Sequence, residues 1–281
     1  MSAVPANFLA RMATSSRARA DSAEAHRPAE PLAARVQRLP PPPALRLSTQ
    51  GFDVIAEVKR RSPSAGTLAG SALKLAAQSR NYVRGGAAAL SVLTEPEEFD
   101  GDLAHLKEVA ATAVPVPAMR KDFLVDPYQL LEARAAGAGG VLLIVRMLAR
   151  DELEELAAGA AELGLFVLLE VFDEADVAIA SAVADLWRGR PADCLIGVNS
   201  RDLATLQVVP QRLEALVATL PAAHPRVAES GLATAADAAR FAAAGYTLAL
   251  VGTALMGAVD PAALARDMIA CGRAAGRGAG R

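Results

Sequence analysis

The chain has 281 residues and a formal net charge of −2; 53% of it is hydrophobic but only 4% aromatic. That length suits one large α/β domain, and the near-neutral charge offers no basic face for a nucleic acid. The longest apolar runs, near residues 140–145 and 248–259, are too short to span a bilayer.

Cys194 and Cys271 lack metal or redox spacing and suit a reducing cytoplasm. His26, His105 and His224 are scattered, so no metal site and no cofactor is expected.

The first 38 residues are rich in Ala, Arg and Ser, as a transit peptide would be, but Asp21, Glu24 and Glu30 count against that reading. Arg11 and Arg17 interrupt any secretory apolar region. A Pro-rich hinge follows at Leu39-Pro40-Pro41-Pro42-Pro43.

From there to the end, short apolar runs alternate with helical ones. Strands are predicted to begin near Val54, Ala87, Val116, Gly140, Leu165, Cys194, Arg226 and Leu248, spaced like strand–helix units of a parallel barrel. Between them, Asp126-Pro127 reads as a helix start ended by Gly137. Asp151 leads a helix to Gly164, and Thr234 opens one that Gly245 closes. No GxGxxG follows the first strand, which argues for a closed barrel over an open sheet. The expected division is an N-terminal extension over 1–49, a barrel over 50–270 and a disordered tail over 271–281.

Polar residues gather at the C-terminal ends of the predicted strands: Glu57 and Lys59, Thr94-Glu95, Lys121-Asp122, Glu170, Asn199-Ser200-Arg201, and Glu229-Ser230-Gly231. Period-2 alternation puts Glu57 and Lys59 on one face. In a barrel all these positions meet on the face where active sites lie. The chain has only four lysines, Lys59, Lys74, Lys107 and Lys121, and two of them close strands. A burial-sensitive ammonium there, in a chain that otherwise uses Arg, points to proton chemistry. Gly231 and Gly252-Thr253, after the last two strands, suit a phosphate cradle of backbone N–H groups.

These residues resemble a known family. IAEVKRRSPS at 55–64 resembles the opening motif of the indole-3-glycerol-phosphate synthases, and SVLTE at 91–95 with Phe99 their second-strand motif. RKDF at 120–123 with DPYQ at 126–129, IGVNSRDL at 196–203 and ESG at 229–231 continue the match in one register over about residues 50–262.

The resemblance implies a single (β/α)₈ TIM barrel with an extra helix, near Phe8–Ala20, covering the mouth. It implies ring closure, decarboxylation and dehydration of 1-(2-carboxyphenylamino)-1-deoxyribulose 5-phosphate to indole-3-glycerol phosphate, CO₂ and water, a step of tryptophan biosynthesis. Lys121 is then the acid of ring closure and Glu170 the base of dehydration. Lys59 or Lys121 is the dehydration acid, and Glu57 tunes Lys59. Asn199 and Ser230 orient the substrate, and Glu229 lines the same pocket. Arg201, Lys59, Gly231, Gly252 and Thr253 match the phosphate and carboxylate contacts, with Phe99 and Phe123 sandwiching the anthranilate ring.

Two departures stand out: Phe172, where many members have His, which would make the base's surroundings more apolar, and Ala65, in place of a common basic residue. The alternatives are a barrel that binds a sugar phosphate without turnover and another phosphosugar barrel such as an isomerase. The expected partner is the small phosphorylated substrate alone, with no nucleic acid and no membrane, on a cytoplasmic monomer or weak homodimer.

Overall fold

Eight parallel strands each run into a helical return, and the last pairs with the first. In the computed structural model, which describes residues 8–62, 66–67, 74–187, 189, 193–203, 205 and 207–279, they are β1 Asp53–Val58, β2 Ala89–Leu93, β3 Ala118–Lys121, β4 Gly140–Ile144, β5 Phe166–Val171, β6 Cys194–Asn199, β7 Arg226–Glu229 and β8 Leu248–Val251. Register closes the barrel: β1 pairs β8 through Asp53↔Leu248 and β2 through Glu57↔Ser91. The fold is therefore the (β/α)₈ barrel expected from the strand spacing.

Alternation divides each strand between two cores. On β1, Val54, Ala56 and Val58 join the layer under the helices, while Ile55 joins the barrel interior. On β5, Val167, Leu169 and Val171 face out, while Phe166 and Leu168 face in. Both faces are buried, which is why these strands read as near-continuous apolar runs. Each fully buried Leu, Ile, Val or Phe contributes roughly 1.5–3 kcal/mol of transfer free energy.

The helical returns begin and end where local chemistry allows. Asp126 caps the helix Pro127–Ala135, accepting from Tyr128 N, while the Gln129 side chain reaches back to Asp126 N. Thr234 caps Ala235–Ala244, and Gly245, at φ 113°, ends it in the left-handed region that glycine tolerates. One start differs from expectation. The fourth return begins at Arg150, one residue before Asp151, and the Glu152 carboxylate accepts from Ala149 N in place of an Asp151 cap.

Before the barrel, helix α1 (Phe8–His26) runs six residues past the expected Ala20. Its buried residues, Phe8, Met12, Ser16 and Ala20, recur every fourth position and so form one face. Arg19 places two hydrogen bonds on Asp122 at the end of β3, at 2.9 and 3.2 Å, and Gln129 donates to Ser16 Oγ. Tyr128 Oη donates to the carbonyls of Ala23 and Arg27. These bonds hold α1 over the C-terminal ends of the strands.

The expected disorder after residue 270 is corrected. Helix α2 (Pro261–Ala279) carries the chain through residues 271–279. The Gly- and Arg-rich composition reads as disorder, but two of those residues dock. Gly272 lies so close to Phe52 that a Cβ would fall 2.3 Å from the ring, and Arg273 donates to Phe52 O at 3.0 Å and pairs with Asp53 at 2.6 Å.

Candidate active site

The inward alternation decides what the mouth contains. Reading each strand toward its C-terminus, the inward side turns from apolar to functional at the same level: Ile55 then Glu57, Met119 then Lys121, Leu168 then Glu170, Val227 then Glu229. On β6 the order is Leu195, Gly197, Asn199, and after β8 it is Leu250, Gly252. Above this level a cavity of about 400 Å³ opens. The thirteen residues to which the resemblance gave site roles all line it: Glu57, Lys59, Phe99, Lys121, Phe123, Glu170, Asn199, Arg201, Glu229, Ser230, Gly231, Gly252 and Thr253; of the other strand-end residues, Thr94, Glu95 and Ser200 do not.

Two ion pairs organise the floor. Lys59 Nζ lies 2.8 Å from Glu57 Oε1, and Lys121 Nζ lies 3.7 Å from Glu170 Oε2. Burial pushes the Glu57 carboxyl upward, but the ammoniums of Lys59 and Lys121 outweigh it and hold it below its ordinary range. Burial would lower Lys121, yet the charges of Glu170 and Glu57 raise it, so it rests protonated. Arg201 is lowered by burial.

A hydrogen-bond chain fixes Glu170. Asn199 Nδ2 donates to Glu170 Oε2 at 3.1 Å, while Asn199 Oδ1 accepts from Ser230 Oγ at 2.9 Å and from Arg201 N at 2.9 Å. The Asn199 amide can therefore point only one way. Ser230 takes part from a left-handed backbone, φ 66°, which its bonded neighbour Ser200 braces by donating to the carbonyls of Glu229 and Ser230, both at 3.1 Å.

Gly252 takes on a second meaning here. A Cβ on it would sit 2.2 Å from Glu57 Oε1 and 2.9 Å from Lys59 Nζ, so the missing side chain makes room for that pair. Gly231, at φ 78°, needs glycine for its backbone conformation.

The two aromatics that the resemblance assigns to the anthranilate ring lie side by side along one wall of the cavity. Phe99 and Phe123 touch each other, 6.3 Å between centroids and tilted by 42°, and Phe8 meets Phe123 edge-on at 5.8 Å. Phe8, from α1, lines the cavity, and the sequence reading missed it. An apolar residue on an amphipathic helix reads as core, and only the docking of α1 reveals where that face lies.

Other strand-end residues are structural. Glu95 caps the short helix Pro96–Phe99, accepting from Glu97, Glu98 and Phe99 N. Asp122 accepts from Arg19, Arg120, Thr94 Oγ1 and Phe123 N, and although burial opposes it, this set depresses its carboxyl to about 2. Phe172 does not line the cavity. It is buried in the apolar barrel-interior cluster beneath two guanidiniums, Arg146 at 4.6 Å and Arg212 at 5.9 Å from its centroid. Pro63, Ser64 and Ala65 of the first-strand motif lie outside the described residues.

The fold and site together define a (β/α)₈ barrel with paired lysines and carboxylates in its mouth under a helical cover. A profile described as "Indole-3-glycerol phosphate synthase" matches residues 9–268. A protein of that name from a Nocardioides species is 46% identical over 229 residues, 82% of this chain and 84% of its own length. Another from Mycolicibacterium vanbaalenii is 44% identical, over 82% and 80%. The chain belongs to the indole-3-glycerol phosphate synthase family, carboxy-lyases of tryptophan biosynthesis that act on a phosphorylated small molecule.

Among solved structures, 3-hexulose-6-phosphate synthase from Salmonella typhimurium aligns with a TM-score of 0.61 at 13% identity, over 79% of this chain and 99% of that one. Thiamine phosphate pyrophosphorylase from Pyrococcus furiosus aligns at 0.57 and 16%, over 80% and 97%. At those identities the likeness is one of fold. Among the described residues, no helix is long and apolar enough to cross a membrane.

Proposed function

We propose that the cavity closes and dehydrates 1-(2-carboxyphenylamino)-1-deoxyribulose 5-phosphate with Lys121 as the acid of ring closure and Glu170 as the base of dehydration. The observation that carries this reading is the Lys121–Glu170 pair, 3.7 Å apart and held by Asn199 at the closed end of a cavity with an aromatic wall.

As the aromatic carbon attacks the ketone, its oxygen becomes an alkoxide, a far stronger base than an amine, so even a raised Lys121 can deliver its proton. Loss of CO₂ then restores the ring's aromaticity. In the dehydration, Glu170 accepts a proton from the ring CH₂ as the carbon–carbon double bond forms, while Lys59 or Lys121 protonates the departing hydroxyl, which leaves as water.

Phe8, Phe99 and Phe123 offer the anthranilate ring an apolar wall. Arg201, Lys59 and the backbone around Gly231, Gly252 and Thr253 supply the positive surface for the substrate's phosphate and carboxylate. Asn199 and Ser230 orient the substrate, and Glu229 borders it. The lysine–glutamate set supplies the acid and base of each step. The protein works as a cytoplasmic monomer or weak homodimer with no nucleic-acid partner.

The test is to incubate purified full-length protein with the substrate and follow indole fluorescence, with the product identified by mass. Appearance of indole-3-glycerol phosphate supports the reading. Tight binding without product would favour a non-catalytic barrel.

A further inference from the structure

Four buried carboxylates border the cavity: Asp122 pairs with Arg19 and Arg120, and two others face an ammonium, Glu57 with Lys59 at 2.8 Å and Glu170 with Lys121 at 3.7 Å. The fourth, Glu229, is 1% exposed, and among the described residues no donor reaches either of its oxygens. A buried anion left in that state costs several kcal/mol.

The barrel register shows what lies beside it. Glu170 on β5 stands opposite Gly197 on β6, and Asn199 on β6 stands opposite Glu229 on β7. Gly197 has no side chain, and a Cβ there would fall 2.1 Å from Glu229 Oε1. The Glu229 carboxyl therefore lies over Gly197, in the slot adjoining Glu170. The ion pair from Lys121 and the hydrogen bond from Asn199 both fall on Glu170 Oε2.

Two adjoining carboxylates in a dry site do not both ionise readily. We propose that Glu229 is a neutral carboxylic acid in the resting enzyme, its O–H donating to Glu170, so that Glu170 is held in place by a proton bound next to it. The electrostatics agree: burial and the charge of Glu170 push the Glu229 carboxyl well above the ordinary range, with Glu57 on β1 adding to the rise and Lys121 on β3 opposing it. Arg201, beyond β6, has Glu57 as its charge partner.

The consequence for catalysis rests on the role given above to Glu170. When Glu170 takes a proton from the substrate, Glu229 keeps its own, so no proton is exchanged between them. A neutral Glu229 also spares the anionic substrate one buried negative charge. A group whose folded-state value is raised is protonated below that value and ionises as pH rises through it. Alkaline solution therefore turns the pair into two anions and weakens capture of the substrate.

The experiment is infrared difference spectroscopy on ligand-free, full-length protein, wild type minus Glu229→Gln, in H₂O and D₂O. The expected result at neutral pH is a protonated-carboxyl C=O band that shifts in D₂O, is missing from Glu229→Gln and fades as pH is raised. Glu229→Asp, which withdraws the carboxyl by one methylene, should move the band, giving a second check should the glutamine variant fold poorly. In parallel, the alkaline fall of kcat/KM in the wild type, about tenfold per pH unit beyond the ionisation, should be absent or displaced in Glu229→Gln.

A neutral-pH difference spectrum with no such band, in variants that keep the wild-type circular dichroism, overturns the proposal. The band needs no turnover. An active enzyme without it removes this inference alone, while a band in an inactive protein removes only the proposed reaction.

Discussion

Lys121 sits beside Glu170 and Glu57, whose charges keep it protonated despite burial. Lys121→Met preserves the stem and removes the proton, so kcat should fall by ~10²–10⁴-fold. Affinity should change much less, because Arg201 and Lys59 remain. Lys121→Arg should be nearly as poor, since a guanidinium keeps the charge but does not release its proton. Steady-state kinetics of both variants decide the matter. If Arg restores most of the rate, Lys121 is only an electrostatic contact, and the donor is Lys59. Gly252 is tested more finely by Gly252→Ala. The added methyl must displace Glu57 Oε1 or Lys59 Nζ, and misplacing a catalytic group by about an ångström can cost ~10²-fold. A loss of that order in kcat/KM with an unchanged melting temperature is expected; wild-type kinetics would show that the pair can move aside.

At the scale of elements, Asp122 joins α1 to β3, with Arg19 on one side and Arg120 on the other. Its depressed carboxyl, at about 2 against an ordinary 3.8, has a stability consequence of definite sign. The contribution is fully present above the unfolded value, near pH 4, and is lost as pH falls toward 2. By linkage it amounts to about 2 kcal/mol at neutral pH. Asp122→Asn should therefore be less stable than wild type by that order in urea melts at pH 7, with the gap closing between pH 4 and pH 2.5. A gap independent of pH would mean that hydrogen-bond geometry matters there, and charge does not.

Helix α1 itself can be removed by starting the chain after Arg38. All eight strands remain, so far-ultraviolet circular dichroism should still report the barrel. Stability should drop, because Met12 and Ala20 no longer cover their buried contacts. Turnover and affinity should both fall, because Phe8 leaves the aromatic wall and Arg19 leaves Asp122. Full activity in the truncated protein would make α1 a linker or targeting segment.

For the whole molecule, closure converts a one-dimensional pattern into a site. Period-2 alternation and the strand–helix spacing are local properties, so the eight strands, the shared face of Glu57 and Lys59 and the caps at Asp126 and Thr234 could be read from the chain itself. Polar residues ending apolar strands marked the lysines and carboxylates of the candidate site, whereas Phe99 and Phe123 were named only by the family resemblance. Phe8 was missed because its partners are far along the chain and its own segment shows only an amphipathic face. Residues 271–279 were misread for a related reason. Low-complexity composition says little about a Gly–Phe contact or an Arg–Asp pair made with β1.

The amino-acid sequence alone determined which residues would face inward and at which strand ends, because the backbone's pleat admits only two faces. It also determined the family. Only the tertiary structure decided which of those polar groups meet one another. It made Asp122 and Glu95 structural, set Lys121 against Glu170, and turned Gly197 and Gly252 into space for carboxylates. The reason is physical: alternation fixes direction residue by residue, whereas stagger between neighbouring strands, set by closing eight of them into one ring, fixes which directions converge.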